Sequence, residues 1–149
     1  MTVFKIKRYN PEKQEEPFSQ DFELENTAEM TLLDCMNEIK WTQDGSLTYR
    51  MSCRSAICGS CAVRANGRAL LACQKQADYI KDENGIITIE PLGNMKPIKD
   101  LVVDFKPFWD KLDKVDPYLK SKSKPPEKEY RQSPEEFNLI DDSSTCIMC

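Results

Sequence analysis

The sequence contains no histidine among its 149 residues. This absence excludes imidazole-ligated zinc, Rieske-type iron–sulfur ligation and nucleophilic catalysis that depends on a histidine base. Long apolar runs are also lacking, since no stretch approaches the roughly 18 residues that a membrane-spanning helix needs. The net charge of −4 is too weak to imply nucleic-acid binding, which calls for clustered basic charge. We therefore expect no nucleic-acid partner.

The N-terminus lacks the features of a signal or transit peptide. Its first eight residues alternate apolar and charged side chains, which predicts a β-strand. The seven cysteines are an odd number, whereas a secreted disulfide framework normally uses an even set. We therefore expect a reducing compartment, in which cysteines bind metal more often than they pair covalently.

Four of the cysteines form the most informative pattern in the sequence. Cys53, Cys58 and Cys61 follow the spacing C-x4-C-x2-C, and Cys73 follows after eleven intervening residues. This is the plant-type [2Fe–2S] spacing. The residues between the first three cysteines are mostly small and include Gly59, so the backbone can approach a cluster closely and point N–H groups at the sulfurs. Structural zinc is the alternative, but zinc sites usually combine two C-x2-C or histidine-containing pairs.

The pattern of apolar and polar residues predicts a small mixed sheet with one helix. Strands are expected over residues 3–9, 17–25 and 86–90. Thr31 is positioned to cap a helix over residues 32–41, in which apolar side chains recur at helical spacing.

A β-hairpin is predicted between the third and fourth cysteines of the pattern. Asn66-Gly67 separates two strand-like halves within residues 62–71, and a type I′ turn needs positive φ at both central positions. Such a hairpin would bring Cys73 back towards the first three cysteines. Cys35, by contrast, falls on the apolar face of the predicted helix and is expected to be a small buried side chain.

The last third of the chain has a different character. Apolar residues between Leu101 and Leu112 suit an amphipathic helix from Lys99 onward, with a break or a new start at Pro107. The basic, Pro-rich residues 120–128 are expected to form an exposed connecting segment.

Two further signals lie near the end of the chain. Ser133-Pro134 predicts the start of another helix, with the serine as its cap. Cys146 and Cys149 form a C-x2-C pair, which alone is compatible with half a zinc site, a redox dithiol or the opening of a [4Fe–4S] motif.

In combination, these motifs resemble the iron–sulfur subunit of the succinate dehydrogenase / fumarate reductase family. The resemblance runs in order along the chain and is carried by residues 52–62, 71–73, 91–92, 99–104, 117–119 and 146–149. Free plant-type ferredoxins share the loop spacing but lack the Asp-Leu-Val-Val-Asp segment and the second cysteine group.

The resemblance implies an α+β fold in two parts. Residues 1–104 would form a β-grasp, plant-type [2Fe–2S] ferredoxin-like domain, and residues 105–149 would begin a helical domain that carries [4Fe–4S] and [3Fe–4S] clusters. The resemblance also implies the ligands: Cys53, Cys58, Cys61 and Cys73 for the [2Fe–2S] cluster, and Cys146 and Cys149 as an incomplete [4Fe–4S] set. Because the family continues well beyond this point, we expect a truncated subunit rather than a naturally split one.

The implied role is electron transfer within an oxidoreductase complex. A flavoprotein subunit with FAD would interconvert succinate and fumarate, and electrons would pass through the iron–sulfur clusters to quinone at a membrane anchor subunit. The chain would be a peripheral membrane component at the cytoplasmic face of the inner membrane, or at the matrix face in mitochondria, with no catalytic acid or base of its own. The alternatives are an independent soluble [2Fe–2S] ferredoxin-type electron carrier and, without redox chemistry, a zinc-stabilised interaction module.

Overall fold

The structure is a computed structural model that describes residues 1–13, 16–116 and 126–144. Contacts divide the chain into two units: residues 1–105 belong to the first, and the second begins at Lys106. All the strands found in the described residues lie in the first unit.

A five-stranded mixed sheet with strand order β2-β1-β5-β3-β4 forms the framework of the first unit. Its strands are β1 (Thr2–Arg8), β2 (Phe18–Leu24), β3 (Ala62–Ala65), β4 (Arg68–Leu71) and β5 (Ile86–Glu90). β1 pairs antiparallel with β2 and parallel with β5, and β3 lies antiparallel to both β4 and β5. The three strands predicted from alternation are therefore confirmed to within one residue at each end.

The period-two pattern of the central strands explains where the core lies. Phe4 and Ile6 of β1 are fully buried, as are Ile87 and Ile89 of β5, while the residues between them are partly exposed. Side chains two apart in a strand share one face of the sheet, so these four residues cover one face continuously. Helix α1 (Leu32–Thr42) contributes to the same buried cluster.

Helix α1 begins where the sequence predicts. Thr31 accepts a hydrogen bond from the Asp34 backbone N–H, and the Asp34 carboxylate accepts one from the Thr31 N–H, so two otherwise unpaired amides are satisfied. Cys35 is fully buried on the inner face, and burial raises the pKa of its thiol to about 12. The prediction that Cys35 is a buried apolar residue is confirmed.

The predicted hairpin is present between β3 and β4. Asn66 has φ 47° and Gly67 has φ 78°, as a type I′ turn requires. The Asn66 side chain also donates to the Ile80 carbonyl at 2.8 Å and accepts from the Thr88 N–H at 2.8 Å. The turn is therefore held by β5 as well as by its own residues.

The helix predicted from Lys99 onward is wrong in its first part. Residues 97–103 instead form a small antiparallel sheet of β6 (Pro97–Lys99) and β7 (Val102–Val103). Asp100 adopts φ 46°, which does not fit a right-handed helix, and the Leu101 N–H donates to the Thr48 carbonyl at 3.2 Å. Tertiary contacts thus overrode a local pattern that suited a helix.

Helix α2 (Lys106–Val115) begins one residue before Pro107. Proline is tolerated there because the amides of the first helical turn have no intrahelical partner. Phe108 and Trp109 meet edge to face with ring centroids 5.1 Å apart. The alternative of a new helical start at Pro107 was therefore the better interpretation.

Helix α3 (Pro134–Ser144) has the predicted serine cap. Ser133 accepts from the Glu136 N–H at 3.2 Å, and the Glu136 carboxylate accepts from the Ser133 N–H at 2.8 Å. Most of the predicted connecting segment, residues 120–125, lies outside the described residues. Throughout the described ranges, each helix falls short of the length and apolarity that crossing a bilayer requires.

A buried ion-pair network ties the ends of the first unit together. The Arg8 guanidinium donates to the Asp100 carboxylate at 3.0 Å and to the Asp44 carboxylate at 2.7 Å. It also donates to Gln20 at 2.6 Å and to the Ser46 hydroxyl at 2.9 Å. Arg8 and Asp100 are only 6% and 3% exposed, so this network joins β1, β2, the loop after α1 and the β6–β7 turn inside the protein.

The Asp44 carboxylate makes the first unit sensitive to acid. Hydrogen bonds from Ser46 and Arg8 hold the pKa of Asp44 well below its usual value of 3.8. A lowered folded-state pKa stabilises the fold above the unfolded-state pKa, and that stability is lost as the pH falls below about 4. We therefore compare the free energy of unfolding, measured by urea denaturation, at pH values from 7 to 2. As the pH is lowered, this free energy is expected to decrease less steeply for Asp44→Asn than for wild type. An unchanged slope would contradict this, and Asp21→Asn, in an exposed pair with Lys5, is the control.

Candidate iron–sulfur site

The four cysteines of the pattern lie in the loop before β3 and just after β4, the two strands of the hairpin. The loop of residues 50–61 runs from the segment after α1 into β3, and Cys61 directly precedes that strand. Cys73 lies two residues after β4, and the Ala72 N–H donates to the Cys61 carbonyl at 3.2 Å. The β3–β4 hairpin therefore returns the fourth cysteine to the third, as its turn signal predicts.

Backbone N–H groups donate to the cysteine sulfurs in two separate places. The Cys73 N–H donates to Cys61 Sγ at 3.4 Å, and the Ala56 N–H donates to Cys73 Sγ at 3.3 Å. The Ser55 and Cys58 N–H groups both donate to Cys53 Sγ at 3.4 Å. The sulfurs of Cys53, Cys61 and Cys73 thus each accept from at least one N–H group of the kind that stabilises thiolate ligands.

These contacts divide the four cysteines into two pairs. Cys58 contacts Cys53 through its N–H, and Cys73 contacts Cys61 in the same way. Within the part of the chain that the structure describes, no three Cys, Asp or Glu side chains converge on one point as ligands of a single ion. A [2Fe–2S] cluster contains two irons with two protein ligands each, so a set of two pairs fits its donor requirement.

The loop backbone reaches this arrangement through left-handed conformations. Arg54, Ala56 and Gly59 have φ values of 56°, 57° and 70°. Alternation between left-handed and other conformations turns successive N–H groups towards one side, as in anion-binding nests. Such a conformation costs about 1–2 kcal/mol at a residue with a side chain. Arg54 and Ala56 therefore store strain at the place where the N–H groups gather around sulfur, as functional sites often do.

Burial differs across the four cysteines of the pattern. Cys53 is exposed, Cys58 and Cys73 are half-buried, and Cys61 is buried. Hydrogen bonds from Ser60 and from nearby backbone amides lower the pKa of the Cys58 thiol to about 6, whereas burial raises the pKa of Cys61 to about 11. One edge of the site therefore faces solvent, and the opposite edge faces the core.

Tyr49, which precedes the loop, and Arg50, its first residue, anchor the loop to other parts of the first unit. The Tyr49 hydroxyl donates to the Asn37 side chain of α1 at 2.7 Å. The Arg50 guanidinium donates to the Val103 carbonyl at 3.0 Å and lies over the Phe105 ring at 4.8 Å. Sequence reasoning missed both anchors, because only the fold brings residues 49–50 beside positions so distant in the chain.

Helix α1 holds the turn that carries the fourth cysteine. The Leu33 N–H donates to the Ala72 carbonyl at 2.9 Å, and the Leu32 N–H donates to the Lys75 carbonyl at 2.8 Å. These amides belong to the first helical turn and have no partner within the helix. The capped helix thus fixes the backbone on both sides of Cys73.

The other predicted ligands, Cys146 and Cys149, lie outside the described residues. Arg54, which directly follows the first cysteine of the pattern, is exposed, and its guanidinium contacts the Met51 sulfur at 3.8 Å. Ile57 projects from the same loop and is 79% exposed.

Comparison with known proteins agrees with this geometry. Residues 3–110 match the family described as the 2Fe-2S iron-sulfur cluster binding domain. The chain belongs to this family. The predicted α+β class with a [2Fe–2S] ferredoxin-like domain is thereby confirmed.

The sequence similarity of this [2Fe–2S] domain protein to its relatives extends along nearly the whole chain. It is 41% identical to the fumarate reductase iron-sulfur subunit of Mycobacterium tuberculosis over 99% of this chain and 60% of the relative. It is also 41% identical to a mitochondrial succinate dehydrogenase iron-sulfur subunit of Arabidopsis thaliana, over 98% of this chain and 48% of that protein. The resemblance to this subunit family is therefore confirmed.

A solved structure shows the same similarity in three dimensions. The Mycobacterium smegmatis Sdh1 complex in the apo form contains a chain that matches with a TM-score of 0.83 and 25% identity, over 99% of this chain and 60% of that one. The [2Fe–2S] domain protein thus spans about half to three-fifths of the length of these relatives.

Proposed function

We propose that this chain is the electron-transfer portion of the iron–sulfur subunit of a succinate dehydrogenase or fumarate reductase. It relays electrons between an FAD-containing flavoprotein subunit, which interconverts succinate and fumarate, and quinone at a membrane anchor subunit. The names of its relatives support this role. The observation that carries the proposal is the pairing of Cys53 with Cys58 in the loop, and of Cys61 with Cys73 across the β3–β4 hairpin, with backbone N–H groups that donate to three of these sulfurs.

In this proposal the four cysteines hold a [2Fe–2S] cluster, which supplies single-electron transfer when bound. The chain's own residues ligate, orient and tune it. Thiolates are the soft ligands that iron–sulfur clusters require, and the N–H groups of Ser55 and Ala56 are placed to stabilise their negative charge. The exposed Cys53 leaves one edge of the site open to a redox partner.

The division of the chain follows the same reasoning. We assign residues 1–104 to the [2Fe–2S] ferredoxin-like domain and residues 105–149 to the beginning of a helical domain. In the complete subunit that domain carries a [4Fe–4S] cluster, to which Cys146 and Cys149 contribute, and a [3Fe–4S] cluster. The subunit would then be peripheral to the membrane, at the cytoplasmic face of the inner membrane or at the matrix face in mitochondria.

The test is to purify the native protein anaerobically together with whatever subunits accompany it. We expect acid-labile sulfide and an electron paramagnetic resonance signal of a reduced [2Fe–2S] cluster, reached with succinate through the flavoprotein or with dithionite. A stable monomer with a reversible signal would favour the independent ferredoxin-type carrier. Zinc without iron or sulfide would overturn both redox functions.

A further inference from the structure

We propose that the Ser60 hydroxyl is a positioning group that hydrogen-bonds the Cys58 thiolate and raises the reduction potential of the cluster. This inference rests on the proposed function, because it concerns the same four cysteines. It goes further by separating one side chain that tunes the site from those that ligate it.

The contact pattern distinguishes Ser60 from the other polar side chains of the loop. Its hydroxyl oxygen lies 3.4 Å from Cys58 Sγ. Among the described residues, Ser60 is the one non-cysteine residue whose side chain hydrogen-bonds a sulfur of these four cysteines. The other donors to these sulfurs are backbone N–H groups. Ser55, five residues away, donates its hydroxyl to the Cys53 carbonyl oxygen at 3.1 Å and does not contact sulfur through its side chain.

The local backbone holds Ser60 in this position. Gly59 is buried with φ 70°, and its carbonyl accepts from the Ala62 N–H at 3.1 Å, which closes a turn around Ser60. Ser60 itself is half-buried, so bulk water competes only partly for its hydroxyl. The contact is therefore built into the turn that leads into β3.

The direction of the effect follows from charge. A hydroxyl can donate or accept, so with the Cys58 thiol ionised for ligation the Ser60 proton turns towards the sulfur. A hydrogen bond to a charged acceptor is stronger than a neutral one. One-electron reduction adds negative charge to the cluster and its ligands, so the donor stabilises the reduced state more than the oxidised state. Removing the donor lowers the reduction potential.

The experiment is a potentiometric titration of the [2Fe–2S] resonance signal in the anaerobic holoprotein, with Ser60→Ala and Ser60→Thr compared against wild type. At a fixed solution potential we expect Ser60→Ala to lower the ratio of reduced to oxidised cluster about three- to tenfold. This is the size expected for the loss of one charge-assisted hydrogen bond that stabilises the reduced cluster more than the oxidised cluster. A tenfold change corresponds to about 59 mV for a one-electron couple. Ser60→Thr, which keeps the hydroxyl, is the matched control, and its potential is expected to stay close to that of wild type.

The possible outcomes separate this inference from the proposed function. Without a [2Fe–2S] signal in wild type, the proposed function fails and the inference fails with it. A normal wild-type signal with equal potentials in Ser60→Ala and wild type overturns the inference alone. A Ser60→Ala protein that takes up no iron while Ser60→Thr does would also overturn it, because the hydroxyl would then serve assembly rather than potential.

Discussion

Replacing Cys73 with alanine is expected to remove the cluster, with at least a tenfold loss of bound iron and acid-labile sulfide. Alanine offers no donor atom, so the pair formed with Cys61 keeps a single thiolate for its iron. The Ala56 N–H, which donates to Cys73 Sγ, loses its acceptor as well. Iron and sulfide analysis, visible absorption and paramagnetic resonance of the anaerobic protein measure the loss. We expect the same result for Cys58→Ala.

Cys35→Ala is the matched control for these ligand variants. Cys35 is also a free cysteine in the first unit, but it is fully buried on α1 among apolar side chains. Its removal is expected to leave iron content at the wild-type level. Retention of iron in Cys73→Ala, or an equal loss in Cys35→Ala, would show that the four cysteines of the pattern are not the ligand set.

The parts of the site that follow from neighbouring residues were predictable from the sequence. The spacing of Cys53, Cys58 and Cys61 marks the loop, because ligand spacing on a short loop is a local property. The Asn66-Gly67 turn fixes the hairpin that returns Cys73, because positive φ at two successive residues is tolerated by few residue types. The Thr31 cap of α1 is local in the same sense.

The parts that depend on contacts between distant residues were not predictable. Arg50 lies beside Phe105 and Val103 only after the sheet has formed, and neither partner carries a signal in the sequence. The same holds for Asp100, which lies in a segment whose apolar spacing suits a helix. Its φ of 46° and its contact with Arg8 turned that segment into the β6–β7 strands. Neither the turn at Asp100 nor its buried contact with Arg8 follows from periodicity alone.

Asp100→Asn is expected to lower the free energy of unfolding of the first unit by about 3 kcal/mol, the lower part of the range for breaking a buried ion pair. Asparagine keeps the shape and tolerates positive φ. The substitution removes the charge and one acceptor oxygen, since an amide nitrogen cannot accept from the Arg8, Tyr9 or Thr48 donors that bind the two carboxylate oxygens. The Arg8 guanidinium then remains buried with Asp44 as its one carboxylate partner. Urea denaturation followed by circular dichroism measures the change, and the melting temperature is expected to fall by on the order of 10 °C.

A double-mutant cycle distinguishes the ion pair from a general effect of the turn. Arg8→Met removes the buried cation, so Asp100→Asn added to it is expected to cost much less than in wild type. Glu90→Gln, which breaks the partly exposed pair with Lys7 at 3.5 Å, is the control and is expected to cost less than about 1 kcal/mol. If the two buried substitutions were additive, the Arg8–Asp100 contact would not be the source of stability. The loss would then come from the other contacts of the Asp100 carboxylate, which accepts from the Tyr9 N–H at 3.1 Å and from the Thr48 N–H at 2.9 Å.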